Sequence, residues 1–368
     1  MYPLKFTPVF QERIWGGTRM QGILGKTPPA NLDGKPVGES WELADLPPGT
    51  VKADSAGAAA DGSLSSVIAN GPWKGKTLAR VLGEAGTGEV GGGIMGNTPL
   101  LHGRFPLLIK FLDAQADLSV QVHPDAAYCA RHPDAHLKSE AWYVLHAEPG
   151  AKVYRGLKPG VTKERFAQAL QTEGGAEVAG LLKSFKVRAG DCFYLESGTV
   201  HALGAGILAA EVQTPSDTTF RVFDWYRLGP DGQPRKLHVA EALEAITFTP
   251  ESDPGGIFAA GTPAAGGVRS HIAGVFVTVS RLVTCPYFTL ERVRMSQEYQ
   301  QDIPYAEPVV WMVLEGQGVI TCDSMGAGGS PTAFAKGDTL LLPANLKNAK
   351  VKAVTDVAWL EAKILTGT

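Results

Sequence analysis

Cysteine is scarce in this chain, and the patterns that announce a membrane span, a nucleotide site or a nucleic-acid surface are missing. The four cysteines, Cys129, Cys192, Cys285 and Cys322, are scattered and include no C-x-x-C pair. They read as isolated thiols, which fits a reducing, cytoplasmic compartment. No stretch approaches the roughly 18 apolar residues that a membrane span requires, and the opening MYPLKFTPVFQERIW has no signal-peptide core. No P-loop or G-x-G-x-x-G motif is present, so nucleotide binding has no support. A formal charge of −3 gives no excess that would draw the chain to nucleic acid or a membrane surface. An anionic substrate would need a local cluster of Lys and Arg.

What is abundant is glycine, at 44 residues, and proline, at 25, between many short alternating apolar runs. That combination predicts a turn-rich, mostly β protein. The length of 368 residues allows two or more domains sharing a core. Strands are expected at Phe105–Leu112, around Val120, at Ala141–Leu145, within Phe185–Leu195, at Ile207–Gln213 and at Thr219–Tyr226. Helices are expected at Thr77–Glu89, Thr162–Leu170, Ala176–Leu182 and His238–Ile246, with Thr162 as an N-cap. The stretch Asp253–Gly267, rich in Gly, Ala and Pro, reads as the main linker, and six further strands are expected beyond it.

The run LSVQVHPDAAYCARHPDAHLKSEAWY, from Leu118 to Tyr143, organises the rest. On a strand, Gln121 and His123 face the same side. Glu140 leads into the next apolar strand. His201, in GDCFYLESGTVHALG, is expected at a strand end. Gln, His, Glu and His form a mixed N/O set suited to Zn²⁺ or a similar divalent ion. A satisfied structural histidine is the alternative for His123 and His201. Lys110 interrupts the apolar run FPLLIKFL, where a lysine is costly unless paired or functional.

The chain also repeats itself. WYVL at Trp142–Leu145 and GDCFYLESGTVH have counterparts in WMVL at Trp311–Leu314 and GDTLLLPANLKN. Aligning Gly190 with Gly337 sets Asn348 opposite His201; aligning Leu145 with Leu314 sets Val309 opposite Glu140. The second copy keeps the strand frame and lacks both of those ligands. Its spacer is 22 residues shorter, close to the length of the expected helical insert at 161–182.

Gly190, Gly198 and His201 fit the second signature of the cupin jelly roll, with Glu196 at its proline position; the second copy has Pro343 there. More specifically, RIWGG, GESWEL, NGPWKGKTL, FPLLIKFLDA, LSVQVHPD, KSEAWYVL, SGTVHALGAGILAAEVQ and SDTTFRVFDW resemble blocks of the type I mannose-6-phosphate isomerases. The resemblance is strong to about residue 250 and afterwards holds only in frame.

It implies a double cupin-type jelly roll with inserted helices. A metal-bearing catalytic domain would span 1–250, and a metal-free cupin-like domain 251–368. It implies one Zn²⁺ per chain on Gln121, His123, Glu140 and His201, and interconversion of mannose 6-phosphate and fructose 6-phosphate through an enediol. Arg221 matches the family's active-site arginine, and Lys138 and Lys110 resemble its pocket lysines. Lys138, two residues before Glu140, shares its side if the segment is extended. A lysine beside a divalent cation loses pKa, which makes a base conceivable. Glu42 is a second candidate for the proton. Ser119, Lys110, Lys138 and Arg221 are candidate phosphate donors, and Trp15 and Trp41 candidate pocket walls. The competing readings are an ion pair of Arg221 with Asp217 or Asp224, an ion pair for Lys110, a surface position for Lys138, and core packing for the tryptophans. The expected partner is a small sugar phosphate, with no nucleic acid or membrane and with monomer and dimer both open. Isomerisation of another or unphosphorylated sugar, and a non-catalytic sugar-binding cupin, are the alternative functions.

Overall fold

The computed structural model describes residues 1–51, 55–85, 93–172, 177–229, 232–248, 257–258, 271–323 and 331–365. The fold is mostly β, built as two sandwiches. The first pairs a seven-stranded antiparallel sheet with a five-stranded one. The larger sheet runs Ile257–Phe258, Cys192–Leu195, Glu140–Ala147, Ile207–Gln213, Leu108–Ala114, Val9–Gly17 and Val37–Leu43. The smaller runs Leu182–Lys186, Lys152–Leu157, His201–Leu203, Val120–Val122 and Phe220–Phe223. The second sandwich pairs a seven-stranded sheet centred on Val309–Glu315 and Val357–Ile364 with a four-stranded one. Leu4–Lys5 joins the larger sheet of this second sandwich, pairing with Leu340 and Leu341. The linker expected at 253–267 falls almost entirely outside the described residues.

The two large sheets pack back to back, which explains the sequence pattern. Ala141 and Tyr143 point into one apolar cluster together with Val310, Met312 and Leu360 of the second sandwich. Trp142 and Val144 point the other way, into the first sandwich's own core with Phe193 and Leu203. A strand buried on both faces shows no polar alternation. Hence WMVL reads as an unbroken apolar run, and FPLLIKFL as one broken only by Lys110.

The repeat is visible in side chains as well as in frame. Trp142 Nε1 donates to Glu211 Oε1 at 3.0 Å, and Trp311 Nε1 donates to Glu361 Oε2 at 3.2 Å. In each case the pair sits in cross-strand register. Gly190 and Gly337 both adopt positive φ, +93° and +89°, at equivalent turns. Asn348, opposite His201 in the alignment, donates to Asp323 instead of facing a buried carboxylate.

Among the described residues, helices occupy Leu78–Ala85, Lys163–Gln171, Val178–Leu181 and Val239–Ala245, close to their expected places. Thr162 caps its helix, accepting from Arg165 N. Arg19–Leu24 and Ala126–Arg131 are helical without having been expected; each is only six residues long, too short for a clear apolar period. The strand expected to run to Tyr226 stops at Phe223, because Trp225 and Tyr226 turn left-handed at φ +55° and +58°. His201 opens a strand, His201–Leu203, rather than closing one. No helix among the described residues is long and apolar enough to cross a membrane.

Candidate metal centre and cavity

Glu140 is the first residue of its strand in the large sheet. His123 follows directly on Val120–Val122, and His201 begins the neighbouring strand of the small sheet, in register with Gln121. The two sheets therefore deliver their polar groups to one point between them. Ligating atoms of His123, Glu140 and His201 all lie within 4.8 Å of one another, and all three residues are buried. His123 Nε2 stands 3.4 Å from Glu140 Oε2, and His201 Nε2 stands 3.2 Å from Glu140 Oε1. Despite this proximity, His123 Nε2 and both Glu140 oxygens lack a hydrogen bond of proper geometry.

Buried polar atoms are ordinarily satisfied, so this cluster calls for something at its centre. A divalent cation fits it. The Nδ1 atom of His123 lies 3.0 Å from the Thr218 carbonyl, and that of His201 lies 2.8 Å from the Thr199 carbonyl. A carbonyl can only accept, so each imidazole carries its proton on Nδ1 and turns its Nε2 lone pair inward. Burial, followed by the charge of Lys138, pushes His123 down to about 3 and keeps it neutral. The Gln121 amide nitrogen lies 3.5 Å from His201 Nε2. Amide nitrogen and oxygen exchange places by a half turn, which would bring the carbonyl oxygen to the same point.

Beside this cluster opens a cavity of about 1250 Å³. Gln121, Lys138, Lys110 and Ser119 line it, as do Trp15 and Arg221. Lys138 is buried and stands 2.9 Å from Glu140 Oε2. Burial opposes its charge, but the carboxylates of Glu140 and Glu211 outweigh that and hold the ammonium above its ordinary range. Lys110 sits 3.6 Å from Glu211, 3.9 Å from Glu39 and 4.7 Å above the Trp41 ring. Trp41 packs under that lysine, among Leu46, Leu64 and Leu108, rather than lining the cavity.

Arg221 makes no ion pair among the contacts of the described residues with Asp217 or Asp224. One of its terminal nitrogens donates to the Lys236 carbonyl at 3.0 Å, while its buried Nε has no partner. Burial, reinforced by the charge of Arg235, brings its pKa down to about 10. Asp224 is taken by Arg227 and Arg235.

Glu42 is not brought to the cavity. Side chains alternate along a strand, and Glu39 and Trp41 occupy the cavity-side phase of Val37–Leu43. Ser40 and Glu42 therefore face the back, where Glu42 accepts from Lys26 at 2.8 Å and from Ser40 at 2.5 Å. Glu42→Ala would strand a buried ammonium, a loss of about 3–5 kcal/mol. Urea unfolding should show that loss, while activity per folded molecule remains near wild type.

The acids that do line the cavity are Glu12, Glu39, Glu211 and Asp217. Burial, added to by the charge of Glu140, lifts Glu211 to about 7. Burial would also lift Glu39, but Arg13 and Lys110 outweigh it and hold that carboxyl at about 2. Glu211 had a sequence signal: it is the single charged residue in ILAAEVQ, the same anomaly that marks Lys110.

Residues 3–150 match the model of the phosphomannose isomerase type I catalytic domain. The chain is 34% identical to mannose-6-phosphate isomerase ManA of Bacillus subtilis over 357 residues, covering 96% of this chain and 97% of that one. The crystal structure of mannose 6-phosphate isomerase from Bacillus subtilis shares 28% identity with a TM-score of 0.78, covering 98% and 99% of the two chains. A mannose 6-phosphate isomerase crystallised with zinc and yttrium shares the fold, with a TM-score of 0.70 at 15% identity and full coverage of both chains. With its metal-ligand cluster, its cation-lined cavity and relatives that align along nearly its whole length, the chain belongs to the type I mannose-6-phosphate isomerase family.

Proposed function

We propose that this protein interconverts mannose 6-phosphate and fructose 6-phosphate, using one zinc ion held by Gln121, His123, Glu140 and His201. The observation that carries this reading is the buried His123–Glu140–His201 cluster, with His123 Nε2 and Glu140 Oε1 left without hydrogen bonds, at the side of a cavity lined by lysine and arginine. When bound, zinc supplies a Lewis acid for the sugar oxygens. A relative crystallised with zinc supports that choice of metal.

The isomerisation moves a proton between C1 and C2 and builds negative charge on O1 and O2. Glu211, a buried carboxyl that lines the cavity, is the group we assign to the carbon-bound proton. Trp142 and Lys110 fix its orientation from either side. Lys138 and Arg221 stabilise the charge on the sugar oxygens, Lys138 as a donor buried beside Glu140 and Arg221 from the strand position paired with Gln121. Ser119 and the exposed Lys236 take the phosphate, and Trp15 walls the cavity.

The first sandwich, drawn mainly from residues 1–250 with Ile257–Phe258 added at its edge, is the catalytic unit, and the second, drawn mainly from the later residues with Leu4–Lys5 added, is its metal-free partner. Four free cysteines suit a cytoplasmic setting.

A coupled assay with both sugar phosphates tests the function, run before chelation, after it and after zinc is restored. Activity should vanish on chelation and return with zinc. Turnover of mannose but not of its phosphate would assign another sugar. Sugar binding without exchange of the C2 proton into solvent would make the protein a binding module.

A further inference from the structure

Two loops flank the ligand cluster. One, 132–139, leads into Glu140 and carries Lys138; the other, 214–219, leads into the strand of Arg221. They are sewn together by hydroxyls. Thr214 Oγ1 donates to the Leu137 carbonyl at 3.1 Å and accepts from Ser139 N at 3.1 Å. His136 N donates to Thr218 Oγ1 at 3.1 Å. At the centre is Ser216, fully buried. Its Oγ donates to the His136 carbonyl at 2.8 Å and accepts from Thr218 N at 3.1 Å. Gln213 Nε2 holds the Ser216 carbonyl at 2.7 Å.

The next link gives Ser216 its importance. The carbonyl of Thr218 receives the Nδ1 proton of His123. No other hydrogen bond among the described residues fixes that imidazole's tautomer. A ligand histidine depends on the partner of its second nitrogen for orientation and basicity, and losing such a partner typically costs about 10- to 100-fold in metal affinity.

We propose that Ser216 is a positioning residue, whose buried hydroxyl, at the centre of the seam that Thr214 and Thr218 also close, ties the backbone of Thr218 that orients His123 to the loop that carries Lys138. It acts on both without touching zinc or sugar. A serine suits the place because it donates and accepts at once with one small side chain. The inference rests on the zinc-isomerase reading. A wild-type protein that binds zinc and turns over establishes that reading before any variant is compared.

The test measures zinc affinity by chelator competition and the visible spectrum of the cobalt-substituted protein, alongside kcat and KM. Ser216→Ala should bind zinc about 10- to 100-fold more weakly. Its cobalt bands should shift, and kcat should fall with KM for the sugar phosphate little changed. Ser216→Cys keeps a weak donor and acceptor in the same volume and should lie between alanine and wild type; it also serves if the alanine variant does not fold. Thr214→Val removes an equally buried hydroxyl from the same seam without touching Thr218. It should lose stability but keep wild-type zinc affinity and cobalt spectrum. Folded Ser216 variants with wild-type affinity and spectrum would overturn the proposal, as would a Thr214→Val protein showing the same changes in both.

Discussion

His201→Ala should leave a folded protein that no longer retains zinc through dialysis and whose turnover falls at least about 1000-fold, the loss expected when a Lewis acid worth several kcal/mol is removed. The fold survives because the site is not what holds it together. Trp142, Phe193 and Leu203 still fill the sandwich, and the back-to-back sheets are untouched. The local electrostatics also tolerate the change. Glu140 retains Lys138 at 2.9 Å, so the carboxylate does not become an isolated buried charge. Zinc content measured by atomic emission, together with the coupled assay, checks both halves of the expectation. His123→Ala should behave alike. Full turnover in either protein would remove the cluster from the mechanism.

The legible part of this site is the part whose residues break a local rule. Gln121 and His123 stand out in an apolar run, Lys110 in another, and Glu140 and His201 at strand ends. Each anomaly could be read without knowing what lay across the sheet. Glu42 shows the limit. GESWEL holds two glutamates in opposite phases only three residues apart. Which phase faces the cavity depends on the partner sheet, and no local pattern supplies that. Of the two, Glu39 lines the cavity. The short helices and the left-handed turn at Trp225–Tyr226 were hidden for a related reason: they are set by tertiary contacts, such as Trp225 Nε1 donating to the Leu118 carbonyl at 2.7 Å.

The duplicated frame shows how the two sandwiches differ around an equivalent pair of residues. Both place a tryptophan and a glutamate in register at the same spot. Around Glu211 the neighbouring groups open onto a cavity. Around Glu361 they close on themselves: Tyr305 donates to it, Lys363 stands 3.1 Å away, and Lys363 also reaches Glu291, which Arg281 holds at 2.8 Å. Charges that neutralise one another in this way stabilise a core and leave nothing over for a substrate. The same strand geometry thus serves either purpose, and the choice lies in whether the buried charges are paired among themselves.

Arg221→Ala separates binding of the metal from use of it. The guanidinium lies on the cavity wall, and neither His123, Glu140 nor His201 hydrogen-bonds to it among the described contacts. Zinc content and affinity should therefore stay at wild-type levels. Turnover should not. A cation facing oxygens that gain charge in the transition state typically contributes a factor of about 100 to 1000, and the buried Nε, without a partner of its own, has its bonding capacity free for that moment. The fall should appear mainly in kcat, because the interaction strengthens as the charge develops. Arg221→Lys should recover only part of it, since an ammonium cannot hold the Lys236 carbonyl and reach the sugar with a planar fork. Equal loss of zinc and of turnover in Arg221→Ala would place the residue in the architecture of the metal site instead.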